Sequence, residues 1–103
     1  MKLTVQGFNW DPGNLRKCAK HGLSREEVEQ FFTREISMMA DVKHSQEESR
    51  FVAYGSNSKE RPILVGFTFR EIDGQILLRP ISARYMHLKE VRKYEKETSK
   101  IQK

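Results

Sequence analysis

The chain has 103 residues, 37% hydrophobic and 32% charged, which leaves room for one domain with one modest core and excludes a disordered chain. No apolar run approaches the roughly 20 residues a membrane-spanning helix needs, the first residues read as a strand rather than a signal-peptide core, and the single cysteine, Cys18, offers no disulfide framework, so a protein of the reducing cytoplasm is expected. The net charge of +5 sits at the ends: four Lys/Arg face one Asp in residues 1–23 and seven face three acids in residues 84–103, while residues 24–83 hold eight against ten. Basic ends that meet in space make a basic surface, for which nucleic acid is the leading partner and a solvated, lysine-rich face the alternative.

Leu3 to Trp10 is apolar at Leu3, Val5, Phe8 and Trp10 and predicts an N-terminal strand, which Asp11-Pro12-Gly13-Asn14 breaks as a turn. A short helix follows over Asn14–Lys20, stopped at Gly22, with Lys20 and His21 in its last turn, where cations favour the helix dipole. Ser24-Arg25-Glu26-Glu27 is a capping box, and Val28, Phe31 and Phe32 carry the second helix to about residue 32 or 33. Residues 36–40 fit a short strand or an extended link, and residues 41–49 a polar loop. Phe51–Gly55 and Arg61–Arg70 read as strands, the second with Ile63, Val65, Phe67 and Phe69 on one alternating face. Asp73-Gly74 is a hairpin signal, and Gln75–Ser82 the third strand of the meander. Pro62 and Pro80 belong on an edge or at a strand end. After Ser82, which can act as an N-cap, Tyr85, Leu88, Val91 and Tyr94 recur at helical spacing and predict a final helix, with a tail from residue 96 expected to fray. The expected architecture is a single α+β domain over 1–103: an N-terminal strand, two helices, a three-stranded antiparallel meander and a C-terminal helix.

The junction after Ser82 would gather Arg79, Arg84 and His87 at one strand-to-helix corner, an anion site to which the helix start adds its own partial positive charge. Arg50, Arg61, Arg70, Arg79 and Arg84 all sit at strand ends or turns. Such a cluster can hold a phosphodiester bidentately and stabilise the extra charge of a pentavalent transition state. At least two of these arginines are expected to pair instead with Glu48, Glu60, Glu71 or Glu90. His21, His44 and His87 are candidates for the proton transfers of RNA cleavage by the 2′-hydroxyl. Cys18, His21, His44 and His87 lack the paired spacing of a zinc site, so no metal is expected. Phe8, Trp10, Tyr54, Tyr85 and Tyr94 are of the right type to stack on unpaired bases, whereas Phe31, Phe32, Phe67 and Phe69 fit a core.

The words Trp10-Asp11, Lys20-His21-Gly22-Leu23-Ser24, His44-Ser45 with Glu48 and Arg50, Tyr54-Gly55, Arg61, Thr68 with Arg70, and Ile81-Ser82-Ala83-Arg84, followed by Glu90 and Tyr94, occur in this order and spacing. Over about residues 8–95 the chain resembles the BrnT family of type II toxin–antitoxin toxins, particularly members with RPISARYMH before a KE…YE helix. It departs from many of them in Lys17 for Asn, Pro80 for Ile, and Thr33-Arg34-Glu35 for an Asp-Pro turn. The resemblance implies a RelE-like fold and a ribonuclease that uses neither ribosome, metal nor cofactor and arrests growth by cutting RNA. It implies a cognate antitoxin that neutralises the toxin by binding, with operator DNA contacted only through that complex. On this reading RNA crosses the sheet face. Arg70, Arg79 and Arg84 hold the scissile phosphate, His44 or His21 moves a proton, and Lys20 helps neutralise the phosphate. His21, Trp10, Arg50, Arg61, Tyr85 and His87 supply further nucleic-acid contacts. A non-catalytic nucleic-acid-binding module and a protein-interaction subunit are the alternatives.

Overall fold

The computed structural model describes residues 5–101, with side chains described through residue 96. Helix α1 spans Pro12–Lys20. It starts two residues before the expected position, because Asp-Pro-Gly-Asn serves here as a helix start and not as a free turn. Extended Asp11 is the N-cap, its Oδ1 accepting from Gly13 N at 2.7 Å and Asn14 N at 3.3 Å, and Pro12 occupies the first turn, where its missing N–H costs nothing. Helix α2, Arg25–Phe31, begins with the expected capping box: Glu27 N donates to Ser24 Oγ at 3.2 Å and Ser24 N to Glu27 Oε1 at 3.5 Å.

The sheet has four strands, not three. Strands β1 (Ser37–Ala40), β2 (Phe51–Ser56), β3 (Pro62–Ile72) and β4 (Gln75–Tyr85) lie in the order β1-β2-β3-β4, all antiparallel. The stretch 36–40, open between strand and link, supplies the first of them. The expected N-terminal strand shrinks to a single parallel bridge between Phe8 and Leu78; Leu3 lies outside the described residues. The reason is on the facing strand. Leu78 N donates to Gly7 O at 3.0 Å and Leu78 O accepts from Asn9 N at 2.9 Å. The next inter-strand donor on that edge would be residue 80, a proline with no N–H, so the ladder stops. The Gln6 side chain covers the preceding position by accepting from Ile76 N at 2.6 Å.

The final helix does not begin after Ser82. Ser82, Ala83, Arg84 and Tyr85 continue β4, opposite Gly66, Val65, Leu64 and Ile63, and helix α3 spans Leu88–Ile101. Pairing with the long β3 outweighs the helical period that runs on from Tyr85. The expected frayed tail overlaps the end of α3, and residues 102–103 lie outside the described residues. No helix among the described residues is long and apolar enough to cross a membrane.

The core lies between one sheet face and α1 and α2. Phe31, Phe32, Leu23, Val28 and Cys18 from the helical side meet Ile63, Val65, Phe67, Leu78, Ala53 and Ala83 from the strands. Phe32 stands edge-on to Phe31 and Phe67 at ring distances of 5.2 and 5.1 Å. One irregularity decides which arginines share the other face. The register shifts between Gly66 and Phe67, so that Gly66 opposes Ser82 but Phe67 opposes Pro80, leaving Ile81 as an extra residue. Arg79 and Arg84 are five residues apart and would face opposite ways in a regular strand. The bulge flips the parity, and both join Arg70 on the face away from the core.

Candidate functional site

The loop between β1 and β2 builds one wall of this outer face, and its ends are tied together. Asp41 N donates to Arg50 O at 2.8 Å. Ser45 Oγ donates to Asp41 O at 2.6 Å and accepts from Arg50 N at 2.9 Å. Thr68 Oγ1, on β3, donates to Ser49 O at 2.6 Å and pins the loop to the sheet. Within it the 3₁₀ turn Val42–His44 brings His44 Nδ1 to 2.8 Å from Asp41 Oδ2. A carboxylate on Nδ1 orients the ring and leaves Nε2 as the nitrogen that can exchange a proton. The His44 side chain is 60% exposed, so that nitrogen is within reach of a ligand.

Further along the loop, Glu48 stands between two arginines, 3.7 Å from Arg50 Nη2 and 3.3 Å from Arg70 Nη2. Two guanidiniums share one carboxylate, so the cluster stays positive. Both separations exceed the roughly 2.7–2.9 Å of a tight charge-assisted hydrogen bond, so an incoming phosphate can compete for these donors. With Lys43 and His44 these residues line a depression of about 540 Å³. A second depression joins Arg50, Arg70 and Glu48 to Asn14 and Lys17 of α1 and to Arg79 and Ile81 of β4. A third, about 620 Å³, runs from Lys17, Lys43, His44 and Arg50 across Val52, Leu64, Gly66 and Ser82 to Arg84, Lys93 and Tyr94. Arg50 lines all three, which therefore form one groove. Its walls hold seven cations (Lys17, Lys43, Arg50, Arg70, Arg79, Arg84, Lys93) against four carboxylates (Asp11, Asp41, Glu47, Glu48). A groove with this excess attracts a polyanion.

The arginines are not equivalent. Arg84 makes a bidentate pair with Glu90, Nη1 to Oε1 at 2.8 Å and Nη2 to Oε2 at 2.6 Å, and His87 N donates to the same carboxylate at 3.2 Å. Those hydrogen bonds, Arg84's above all, pull Glu90 down to about 2, and Arg84 is raised in turn. Arg79 donates Nη1 to Asn9 Oδ1 at 2.8 Å and Nη2 to Asp11 Oδ2 at 3.1 Å. Asp11 titrates below the usual carboxylate range, held there first by the Gly13 and Asn14 N–H groups and then by the Arg79 charge. The expectation that at least two arginines pair with acids holds at Glu48 and Glu90. The expected anion corner of Arg79, Arg84 and His87 does not form. The helix starts at Leu88 rather than after Ser82, and each of the two arginines has its own carboxylate.

The groove thus unites Arg50, Arg70, Arg79, Arg84 and His44 from the sequence-derived set. The other members lie elsewhere. Lys20 is exposed in the last turn of α1, and His21 is its C-cap. Trp10 packs against the core and donates Nε1 to Glu29 Oε2 at 2.8 Å. The Arg61 guanidinium lies 3.8 Å above the Tyr85 ring centroid, and His87 precedes α3. None of these six lines the three depressions. Among the other aromatic residues, Phe8 packs 6.1 Å from Phe32, and Tyr54 is buried, its hydroxyl donating to Tyr94 O at 2.7 Å. Cys18 is fully buried, which pushes its thiol up. Among the described residues no group of three or more His, Cys, Asp or Glu side chains is placed to hold a metal ion.

Sequence reasoning did not pick out Lys17, Lys43, Lys93 or Asp41. Only the Asp41/His44 spacing, three residues apart at the start of a polar loop, carried a local signal. The lysines reach the groove through tertiary packing alone.

Residues 10–90 match the model of a protein family described as the BrnT ribonuclease toxin of type II toxin–antitoxin systems. No curated protein matches the chain.

Proposed function

The chain belongs to the BrnT family of type II toxin–antitoxin ribonuclease toxins, and from that premise we propose that it is an endoribonuclease which cuts RNA in this groove without a metal ion. The observation that carries the proposal is the Asp41-oriented His44 beside Arg50 and Arg70 in one positively charged depression. Arg50 and Arg70 turn from Glu48 to the scissile phosphate and stabilise the charge that builds up on its oxygens. His44 Nε2 takes the proton from the 2′-hydroxyl, the 2′-oxygen bonds to phosphorus, and the bond to the 5′-oxygen breaks. The leaving oxygen receives a proton from solvent or from the imidazolium. Lys17 and Lys43 hold neighbouring phosphates. Arg79 fixes Asp11 and so positions α1, and Arg84, with both terminal nitrogens on Glu90, walls the far part of the groove.

In the cytoplasm the protein arrests growth by this cleavage, and a cognate antitoxin restrains it by binding. Operator DNA is reached through the antitoxin in their complex. The test is the chemistry of the fragment ends in EDTA. Cleavage by the 2′-hydroxyl leaves a 2′,3′-cyclic phosphate or 3′-phosphate and a 5′-hydroxyl. Fragments ending in 3′-hydroxyl and 5′-phosphate would contradict the mechanism.

A further inference from the structure

The groove is chemically uneven. Around Glu48 its lining is almost wholly charged or polar, whereas the 620 Å³ part beyond Arg50 has an apolar floor of Val52, Leu64 and Gly66. That volume falls in the roughly 300–1,000 Å³ range of small-ligand sites. Gly66 is the unusual residue. A glycine inside a strand weakens it, and Gly66 is not among the glycines with positive φ, so neither its backbone nor the adjoining bulge demands one. What glycine secures is space: a Cβ there would come to 3.1 Å from Ser82 Oγ on the facing strand. Ser82 sets a hydroxyl, both donor and acceptor, beside this opening. Arg84 forms the far wall. Its bidentate bond to Glu90 lies in the guanidinium plane, and its side chain is 41% exposed. A guanidinium held in plane by a carboxylate keeps its flat faces for stacking. Lys43, His44 and Arg50 line both parts, so a nucleotide whose phosphate sits among them has its neighbour's base within reach of the apolar floor.

We propose that this part of the groove is a nucleobase subsite, in which the base next to the cut phosphate lies over Gly66, stacks on Arg84 and is read by the Ser82 hydroxyl. The proposal rests on the reading above that the groove binds RNA, and it adds that the bound strand is unpaired at that position. It makes Gly66 and Ser82 specificity-determining residues outside the chemistry.

The test uses the full chain and uncleavable 2′-O-methyl oligonucleotides in which a single abasic position is walked along the sequence. For the wild type, one position should weaken binding by about tenfold when its base is removed, the scale of one lost stacking contact. The variant G66L should bind the intact and the abasic oligonucleotides alike. Should G66L not fold, S82A serves: it should keep the sensitivity to base removal and lose discrimination among the four bases. A wild type with no sensitive position, or a sensitivity unchanged in G66L, overturns the subsite. G66L that binds RNA as the wild type does but loses the antitoxin assigns the floor to a protein partner and also overturns it. The two readings separate cleanly. Cutting with no base-sensitive position removes the subsite alone, and base-sensitive binding without cutting removes the nuclease alone.

Discussion

His44 and Glu90 each report on one half of the groove. His44 is exposed and bonded to Asp41, so its removal should leave the fold intact and remove one proton carrier. H44Q is expected to cut RNA about 10²–10⁴-fold more slowly than wild type, the usual contribution of a general acid or base, with an unchanged melting temperature. An equal cutting rate would take His44 out of the chemistry. Glu90 is a stability probe. Its carboxyl titrates near 2 in the folded protein against an ordinary 4.5. A depressed carboxylate contributes stability that is complete above its unfolded value and is lost as pH falls towards the folded one. E90Q should therefore melt below wild type at pH 7, and the gap should close between about 4.5 and 2. The partners are 41% and 27% exposed, so solvent screening holds the contribution to about 1 kcal/mol, worth some 4–8 °C in a domain of this size. A gap that is constant down to pH 2 would contradict this account of the Arg84–Glu90 pair.

At the scale of elements, periodicity and capping carried most of the fold. The capping box at Ser24, the alternating face of β3 and the Asp73-Gly74 hairpin all lie where their local chemistry places them. The misreadings share a cause. Tyr85 fits a helical period with Leu88 and a strand partner in Ile63 equally well, and only the length of β3 decides between them. The Ile81 bulge depends on register between strands, which no single segment encodes. So the arginine cluster was visible as residue types, but its division into paired Arg79 and Arg84 and looser Arg50 and Arg70 was not. Lys17 and Lys43 were illegible for the same reason. Asp11 shows how one residue serves two elements, capping α1 and holding Arg79. D11A should melt below wild type for the lost cap, whereas D11S keeps a capping oxygen and should recover most of that stability without restoring the Arg79 pair. If thermal melts place D11S level with D11A, the ion pair and not the cap stabilises the helix start.

Over the whole molecule, the basic ends of the chain meet as the sequence distribution implied, but indirectly. Lys17 from the first stretch and Arg84 and Lys93 from the last face each other across a sheet whose own Arg50 and Arg70 lie in the acidic middle. On the proposed function, such a surface would bind single-stranded RNA largely by counterion release. K17A and K43A should each weaken RNA binding evenly across sequences, and each should lower the slope of log K against log salt by about 0.7. A slope unchanged in both variants would move the RNA off this groove. Cleavage of a 5′-labelled RNA in EDTA by wild type and by R70A tests the groove most directly. Arg70 is half-exposed and its contact with Glu48 is loose, so R70A should fold. Wild type should cut, and R70A should cut about 10²–10³-fold more slowly at an unchanged melting temperature, the cost of one transition-state donor. Equal cutting by the two, or RNA left intact by wild type, would contradict a metal-independent nuclease centred on this groove.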